Sequence, residues 1–178
     1  MRGARVGDIE AVIRLSEPHA RTGALRRRSP DDFVRQLGDY QVAEADGAVR
    51  GCYALELIDG SERRCAFLYN LCVDESWHGR GLGSRLLGHA VDRLAERGVT
   101  VLYTATNRRD RWFEQRGFRL PEPRSAEPEV SRRLVPERRS RLLELDLAAS
   151  ADPHVVRGAA GSSLDCRDGG DPLLTSHA

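Results

Sequence analysis

A chain of 178 residues, 40% hydrophobic and 31% charged, is long enough to bury one core without a disulfide or a structural metal. Its 28 basic and 27 acidic residues leave a net charge of +1, which provides no basic field to attract nucleic acid. The sequence contains no lysine, which excludes a Schiff-base lysine and a phosphate-binding loop ending in Gly-Lys-Ser/Thr.

The N-terminus and the cysteines favour a reducing compartment. Residues Met1–Gly7 lack the hydrophobic stretch of a signal peptide, and no apolar run approaches the roughly 18 residues of a membrane span. None of the four cysteines belongs to a Cys-x-x-Cys pair or has a histidine at metal-ligand spacing. We therefore expect a cytoplasmic protein that binds no metal, membrane or nucleic acid, with buried free thiols among Cys52, Cys65, Cys72 and Cys166.

The first part of the chain predicts two helices. A short helix is predicted over Asp8–Leu15 with Asp8 as its N-cap, because apolar residues recur there at helical spacing. A loop is expected through Pro18–Arg28. The run Ser29-Pro30-Asp31-Asp32 begins a second helix, since proline suits the first turn and acidic side chains suit the positive end of the helix dipole.

Strand patterns follow these helices. Tyr40–Ala45 and Val49–Ile58 flank an Asp46-Gly47 turn, which predicts a β-hairpin. Cys65–Val73 is almost continuously apolar, as expected for a central strand covered on both faces.

A strand–helix–strand unit is predicted next. Gly81–Arg97 has the clearest helical pattern in the sequence, and Gly98 provides its C-terminal stop. A further strand is predicted over Val99–Ala105. Because a helix joins this strand to Cys65–Val73, we expect the two strands to pair in parallel.

The C-terminal part predicts a short helix over Asp110–Arg116, a strand beginning at Phe118–Leu120 and a last strand over Ser140–Leu147. The exposed edge of that last strand offers a surface for a homodimer. From Ala148 the composition shifts to Gly, Ala, Ser and Asp. We expect one folded domain over residues 1–147 and a disordered tail over residues 148–178.

A glycine-rich turn joins the central strand to the best helix, with the sequence His78-Gly79-Arg80-Gly81-Leu82-Gly83-Ser84. Alternate glycines let a backbone approach an anion closely, and a new helix adds its free amides and the positive end of its dipole. We expect a pyrophosphate to bind here, with charge-assisted contacts from Arg80 and Arg85. A dinucleotide fingerprint is not met, because Leu86 stands where Gly-x-Gly-x-x-Gly requires its last glycine.

The turn resembles the acetyl-CoA motif of the GCN5-related N-acetyltransferase (GNAT) superfamily, Gln/Arg-x-x-Gly-x-Gly/Ala. His78-x-x-Gly81-x-Gly83 matches both glycines and has histidine at the first position. The resemblance implies an α/β fold with a mixed, mostly antiparallel sheet and helices on both faces. It also implies acetyl-CoA as donor, bound by Leu71, Cys72, Val73, His78, Gly79, Arg80, Gly81, Leu82, Gly83, Ser84 and Thr106.

Three further stretches resemble the acetyltransferase domain of N-acetylglutamate synthases. They are the run Leu25-Arg26-Arg27-Arg28-Ser29, the Trp112-Phe113-x-x-Arg116-Gly117-Phe118 segment after Tyr103–Thr106, and Arg138-x-Ser140-x-x-Leu143. The resemblance implies acetylation of the α-amino group of L-glutamate, as in arginine biosynthesis. Guanidinium groups bind carboxylates bidentately, which suits a dicarboxylate acceptor. The implied acceptor-binding residues are Leu25, Arg28, Asn70, Arg138 and Ser140.

Two departures leave the acceptor open. Leu134-Val135 stands where the group often has Tyr-Asn, and no amino-acid-kinase-like domain precedes Met1, so we expect no arginine feedback site. Another amino-acid-like amine is one alternative acceptor. A non-catalytic CoA-binding regulatory domain is an alternative of a different class.

The general acid and base are not identified by the sequence. Many superfamily members use a tyrosine where Phe113 stands, and phenylalanine cannot transfer a proton. Glu44, Glu56 and Tyr69 lie on predicted strands as possible bases, and none of them is assigned. Cys72 lacks the Cys–His arrangement of an acyl-enzyme nucleophile.

Overall fold

Six β-strands form one sheet, with helices on both faces, in the computed structural model, which describes residues 1–58, 64–107, 109–122, 128–134 and 139–148. The elements in chain order are β1 Arg2–Gly3, α1 Ile9–Arg21, α2 Pro30–Arg35, β2 Tyr40–Ala45, β3 Ala48–Ile58, β4 Cys65–Val73, α3 Leu82–Ala95, β5 Val101–Thr106, α4 Asp110–Glu114, α5 Pro128–Ser131 and β6 Arg141–Asp146.

The strands lie side by side in chain order, and all neighbours are antiparallel except β4 and β5. Helix α3 connects that parallel pair, as a crossover connection requires. The predicted α/β fold, with a mixed, mostly antiparallel sheet and one parallel strand–helix–strand unit, is confirmed.

Apolar side chains bury both faces of the sheet. On one face Leu86, Leu87 and Leu94 of α3 pack against Tyr53 and Leu68, and all five are at most 1% exposed. The opposite face is divided between a cluster under α1 and α2 and a second cluster under α5. The first contains Val12, Phe33, Tyr40, Val42 and Cys72, and the second contains Phe67, Val101, Tyr103, Val130 and Leu142.

Helix α1 differs from its prediction at both ends. The helix continues through Pro18 to Arg21, so the loop expected from Pro18 is wrong for its first turn. Pro18 lacks the N–H that would bond to the carbonyl of Arg14, but both residues are exposed, so that carbonyl lies on the solvent side. The loss of one hydrogen bond in the last turn does not end a helix whose other face is buried.

Asp8 does not cap α1 as predicted. It lies in a 3₁₀ turn, where its carboxylate accepts hydrogen bonds from the Arg5 amide at 2.7 Å and from Arg2 Nη1 at 2.6 Å. Arg2 belongs to β1, a two-residue strand paired with β2 that is too short to show a periodic pattern. Asp8 is therefore used to fix the N-terminal strand.

The last strand pairs with β5 along one edge, and along the other edge it pairs, among the described residues, with Arg119 alone. The backbone groups of Arg119 and Glu144 exchange hydrogen bonds of 2.9 and 2.8 Å, so the strand predicted from Phe118 is reduced to a single bridge. The homodimer surface stays a prediction. The expected tail lies outside the described residues, apart from Ala148. No helix in the described part of the chain is long and apolar enough to cross a membrane.

Candidate functional site

Strands β4 and β5 separate at their carboxyl ends. Their parallel ladder runs from Cys65 opposite Val101 to Leu68 opposite Thr104 and stops there. Strand β4 continues to Val73 while staying paired with β3, and β5 ends at Thr106 while paired only with β6. A slot opens between the strands, and the edge of β4 that faces it has lost its strand partner. Leu71, Cys72 and Val73, expected to contact the donor, lie along this edge.

A β-bulge at Asn70 occurs where the strands begin to separate. Asn70 has φ of 54°, in the left-handed region that asparagine tolerates better than most residues. The register with β3 shifts by one residue between the Cys52–Cys72 and Ala54–Tyr69 pairs, so β4 contains one extra residue. The bulge therefore puts Asn70 on the face covered by α1 and α2, on which its neighbour Tyr69 already lies.

The turn after β4 places open amides at the start of α3. Gly79 and Gly81 both have φ of 73°, and a Cβ atom built on either would meet nothing within 4 Å. The first backbone bond of the helix runs from Arg85 N to Gly81 O at 3.1 Å. Within the described ranges no side chain caps the amides of residues 82–84, so they point out of the helix end. This arrangement suits an anion.

The charged side chains of the turn have local partners. His78 Nε2 lies 3.1 Å from the carbonyl oxygen of Val73. Because a carbonyl oxygen only accepts, the Nε2–H group donates this hydrogen bond, which connects the turn to the end of β4. The Arg80 guanidinium lies 5.3 Å from the centroid of the Trp77 ring. Both side chains are exposed, and Arg85 is exposed as well.

Gly83 differs from the other two glycines, because its Cα atom faces α4. A Cβ atom there would lie 3.3 Å from Cζ2 of Trp112, so the residue allows α3 and α4 to pack closely. The small size of Gly83 thus serves helix packing, and its role at the anion stays a prediction. Its amide still belongs to the open helix end.

Arg116 contacts the site, although the sequence pattern does not predict this. Its guanidinium stacks on Trp112 at 3.8 Å, and its Nη2 donates to Ser84 Oγ at 2.8 Å. The i, i+4 spacing of Trp112 and Arg116 is the signal that predicts such a stack. Ser84, expected at the donor, is thus oriented from the turn after α4 and keeps its own hydroxyl proton to donate.

On the opposite side of the slot, Arg28 lies over the ring of Tyr69, with 4.7 Å between the guanidinium carbon and the ring centroid. Arg28 is half-buried, whereas Arg26 and Arg27 are exposed. The Tyr69 hydroxyl donates to Asp39 Oδ2 at 2.7 Å. Burial, together with this hydrogen bond, raises the pKa of Tyr69, so the phenol stays protonated.

The segment that carries Leu25 crosses toward β5. Asn107, directly after β5, donates from Nδ2 to the carbonyl oxygen of Gly23 at 3.1 Å, and the Leu25 amide donates to the carbonyl oxygen of His19 at 3.1 Å. These bonds hold the α1–α2 loop over the open end of the sheet. Leu25 packs partly buried against the cluster under α1.

Three more expected site residues lie at the same end. Asn70 is 2% exposed, and its Nδ2 donates to Ser16 Oγ at 2.7 Å, so its amide is held by α1. Thr106 Oγ1 accepts from the Arg109 amide at 3.0 Å. Ser140 precedes β6, and its buried Oγ has no hydrogen-bond partner in the part of the chain that the structure describes. Arg138 lies outside the described residues.

The possible bases named from the sequence are already engaged. Glu44 accepts from Arg2 at 2.9 Å, and Glu56 accepts from Arg133 Nε at 2.9 Å. Phe113 is 8% exposed in the core and contacts Phe118 edge-on. His19 belongs to no sequence motif of the site, and its pKa is lowered by burial and by the charges of Arg109 and His78.

The splayed parallel pair, the glycine turn and the open helix end together define a class of protein. The chain belongs to the acetyltransferase (GNAT) family, whose sequence profile matches residues 9–118. The predicted resemblance to this superfamily is confirmed.

The particular relatives are amino-acid acetyltransferases. The chain is 31% identical over 130 residues to the amino-acid acetyltransferase of Neisseria meningitidis serogroup A, which covers 70% of this chain and 29% of the relative. It is 32% identical over 151 residues to that of Shewanella oneidensis, with coverage of 83% and 33%.

A solved structure shows the same similarity. N-acetylglutamate synthase from Neisseria gonorrhoeae, complexed with coenzyme A and N-acetyl-glutamate, aligns with a TM-score of 0.75 at 28% identity, covering 82% of this chain and 34% of that one. The chain therefore spans about a third of the length of these relatives.

Proposed function

We propose that this chain is an acetyl-CoA-dependent N-acetyltransferase that acetylates the α-amino group of L-glutamate. One observation carries the proposal: β4 leaves its ladder with β5 after Leu68 and leads through Gly79 and Gly81 into a helix whose first amides are open. A cofactor with an extended amide-bearing arm and a pyrophosphate matches such a strand edge followed by such a turn. The similarity to amino-acid acetyltransferases supports an amino acid as the acceptor.

On the donor side, acetyl-CoA supplies the acetyl thioester. The backbone of Leu71–Val73 holds the pantetheine arm at the edge that faces the slot, and the amides of residues 82–84 hold the pyrophosphate. Arg80 and Arg85 are exposed beside the turn and add positive charge for phosphate oxygens.

On the acceptor side, Arg28, Arg138 and Ser140 hold the carboxylates. Within the described residues Arg28 forms no ion pair, so its guanidinium edge is available to a carboxylate. The buried Ser140 hydroxyl without a described partner gains one when an oxygen of the acceptor accepts its proton.

The direct test is release of CoA thiol from acetyl-CoA in the presence of single amino acids. We expect turnover with L-glutamate to exceed that with L-glutamine and L-alanine, which lack one carboxylate. Turnover of other amines but not of glutamate would show that the acceptor is a different amine. Tight CoA binding without any turnover would indicate a regulatory domain.

A matched pair of arginine variants tests the acceptor side. Arg28→Ala should raise the KM for glutamate about tenfold or more, because a charge-assisted bond is lost, while the KM for acetyl-CoA stays unchanged. Arg26→Ala removes an equal charge from an exposed position two residues away and should leave both constants unchanged. Equal effects of the two substitutions would contradict a specific role for Arg28.

A further inference from the structure

The position of Arg28 is set by an aromatic ring rather than by a carboxylate. Its guanidinium lies over Tyr69, at 4.7 Å from the centroid. A guanidinium stacked by its face keeps its N–H edge free for a planar anion. The ring therefore fixes where Arg28 can present that edge.

Tyr69 is in turn held at both ends. Its ring packs edge-on against the buried Tyr40, with centroids 5.9 Å apart at 81°, and its hydroxyl donates to Asp39 Oδ2 at 2.7 Å. Asp39 closes the 3₁₀ turn between α2 and β2, where its amide donates to the carbonyl oxygen of Gln36 at 3.0 Å. The backbone that carries the Asp39 carboxylate is thus held by a hydrogen-bonded turn.

The hydrogen bond to Asp39 also affects the ring electronically. A phenol that donates to a carboxylate carries more electron density, which strengthens the attraction of its face for a cation. The regular alternation of β4 before the bulge places Tyr69, like Phe67, on the face of the sheet opposite α3, where α1 and α2 pack.

We propose that Asp39 and Tyr69 are positioning residues: Asp39 orients Tyr69, and Tyr69 holds Arg28 where it binds a carboxylate of the acceptor amino acid. The inference rests on the proposed function for the identity of the bound group. The contacts from Asp39 to Tyr69 and from Tyr69 to Arg28 are observed in the structure and do not depend on the proposed function.

Kinetics of four variants test the acceptor role. Asp39→Asn and Tyr69→Phe should each raise the KM for glutamate about three- to fivefold with kcat little changed, since each weakens one bond to a charged group. The double variant should match Tyr69→Phe, because once the hydroxyl is gone the residue at position 39 has no hydrogen bond to Tyr69 left to weaken. Tyr69→Leu removes the ring face and should raise that KM about tenfold.

The matched control is Asp31→Asn, which removes the same charge from an exposed residue at the start of α2. It should leave the KM for glutamate unchanged. A double variant whose effect is the product of the two single effects would overturn the coupling of Asp39 to Tyr69. Equal losses in kcat across all variants would indicate damage to the fold and would overturn the positioning role.

A second measurement needs no substrate. In protein labelled with ¹⁵N-arginine, the Arg28 Nε–Hε resonance, assigned by its loss in Arg28→Lys, should be shifted upfield by the Tyr69 ring. The shift should disappear in Tyr69→Leu and decrease in Asp39→Asn and Tyr69→Phe. An unchanged Arg28 resonance in these variants overturns the proposal whatever the acceptor is. Absence of glutamate turnover in the unmodified chain overturns the proposed function instead, and the resonance still decides the positioning.

Discussion

At the scale of single residues, backbone conformation decides where the site can form. Gly79 and Gly81 have φ of 73°, a conformation that costs an L-residue about 1–2 kcal/mol. The sequence predicts their role because glycines between a buried strand and an amphipathic helix let the backbone approach an anion. Asn70 adopts a left-handed conformation without being glycine, and no local pattern identifies it. Its bulge depends on the pairing with β3, which is a long-range property.

The first prediction concerns Gly81. Gly81→Val should raise the KM for acetyl-CoA by at least tenfold, because the added side chain fills the open space in front of the helix end and strains the backbone. Steady-state kinetics at saturating glutamate measure this effect.

The matched control is Gly47→Val. Gly47 has φ of 69° and equally open surroundings, but it lies in the β2–β3 hairpin turn. Gly47→Val should strain the backbone as Gly81→Val does, and so lower thermal stability to a similar extent. It should leave the KM for acetyl-CoA unaltered. If both variants raise that KM equally, strain alone explains the effect and Gly81 has no special place at the donor.

At the scale of elements, contacts between distant segments carry information that a local pattern lacks. The pattern of α3 predicts its apolar face, but not that Gly51 of β3 lies beneath it. Likewise Asp39 and Tyr69 are 30 residues apart, and their bond follows only from the completed sheet. The helix and the turn were predictable because each is specified by neighbouring residues, and the parallel pair was predictable because a helix that joins two strands of one sheet makes a crossover connection.

Gly51 provides the test of this packing. A Cβ atom at Gly51 would lie 2.9 Å from Cδ1 of Leu86 and 3.0 Å from the carbonyl oxygen of Cys72. Gly51→Ala should therefore reduce the free energy of unfolding by about 1–3 kcal/mol, since α3 must move away from the sheet. Urea denaturation followed by circular dichroism measures the change.

Gly7→Ala is the corresponding control, because Gly7 has no atom within 4 Å of the built Cβ and a φ outside the positive region. We expect no loss of stability from it. A stable Gly51→Ala protein with unchanged acetyl-CoA kinetics would show that α3 does not rest on this glycine.

At the scale of the whole molecule, the N-terminal strand makes stability depend on pH. The hydrogen bond from Arg2, and to a lesser extent that from the Arg5 amide, lowers the pKa of Asp8 below its ordinary 3.8 despite the opposing effect of burial. Because the folded pKa lies below the unfolded one, the stabilisation is complete above about pH 4 and is lost as the pH falls further.

Asp8→Asn should therefore destabilise the protein by about 2 kcal/mol at pH 7 and by less at pH 3. Urea unfolding of both proteins across this range gives the difference. Glu10→Gln removes a neighbouring exposed carboxylate and should show no such pH-dependent difference. A constant difference from pH 7 to pH 3 would mean that the Asp8 charge does not contribute.

The extra residue in β4 also has a consequence for how the strand tolerates change. Ala66 and Leu68 face α3 before the bulge, and Leu71 and Val73 face α3 after it, so the alternation changes phase at Asn70. In a substitution scan, the positions at which a polar residue disturbs the packing of α3 should be even up to 68 and odd from 71, while the buried Cys65, Phe67 and Cys72 report the opposite face. Deleting Asn70 would restore a single phase and turn every later side chain of β4 to the wrong side of the sheet.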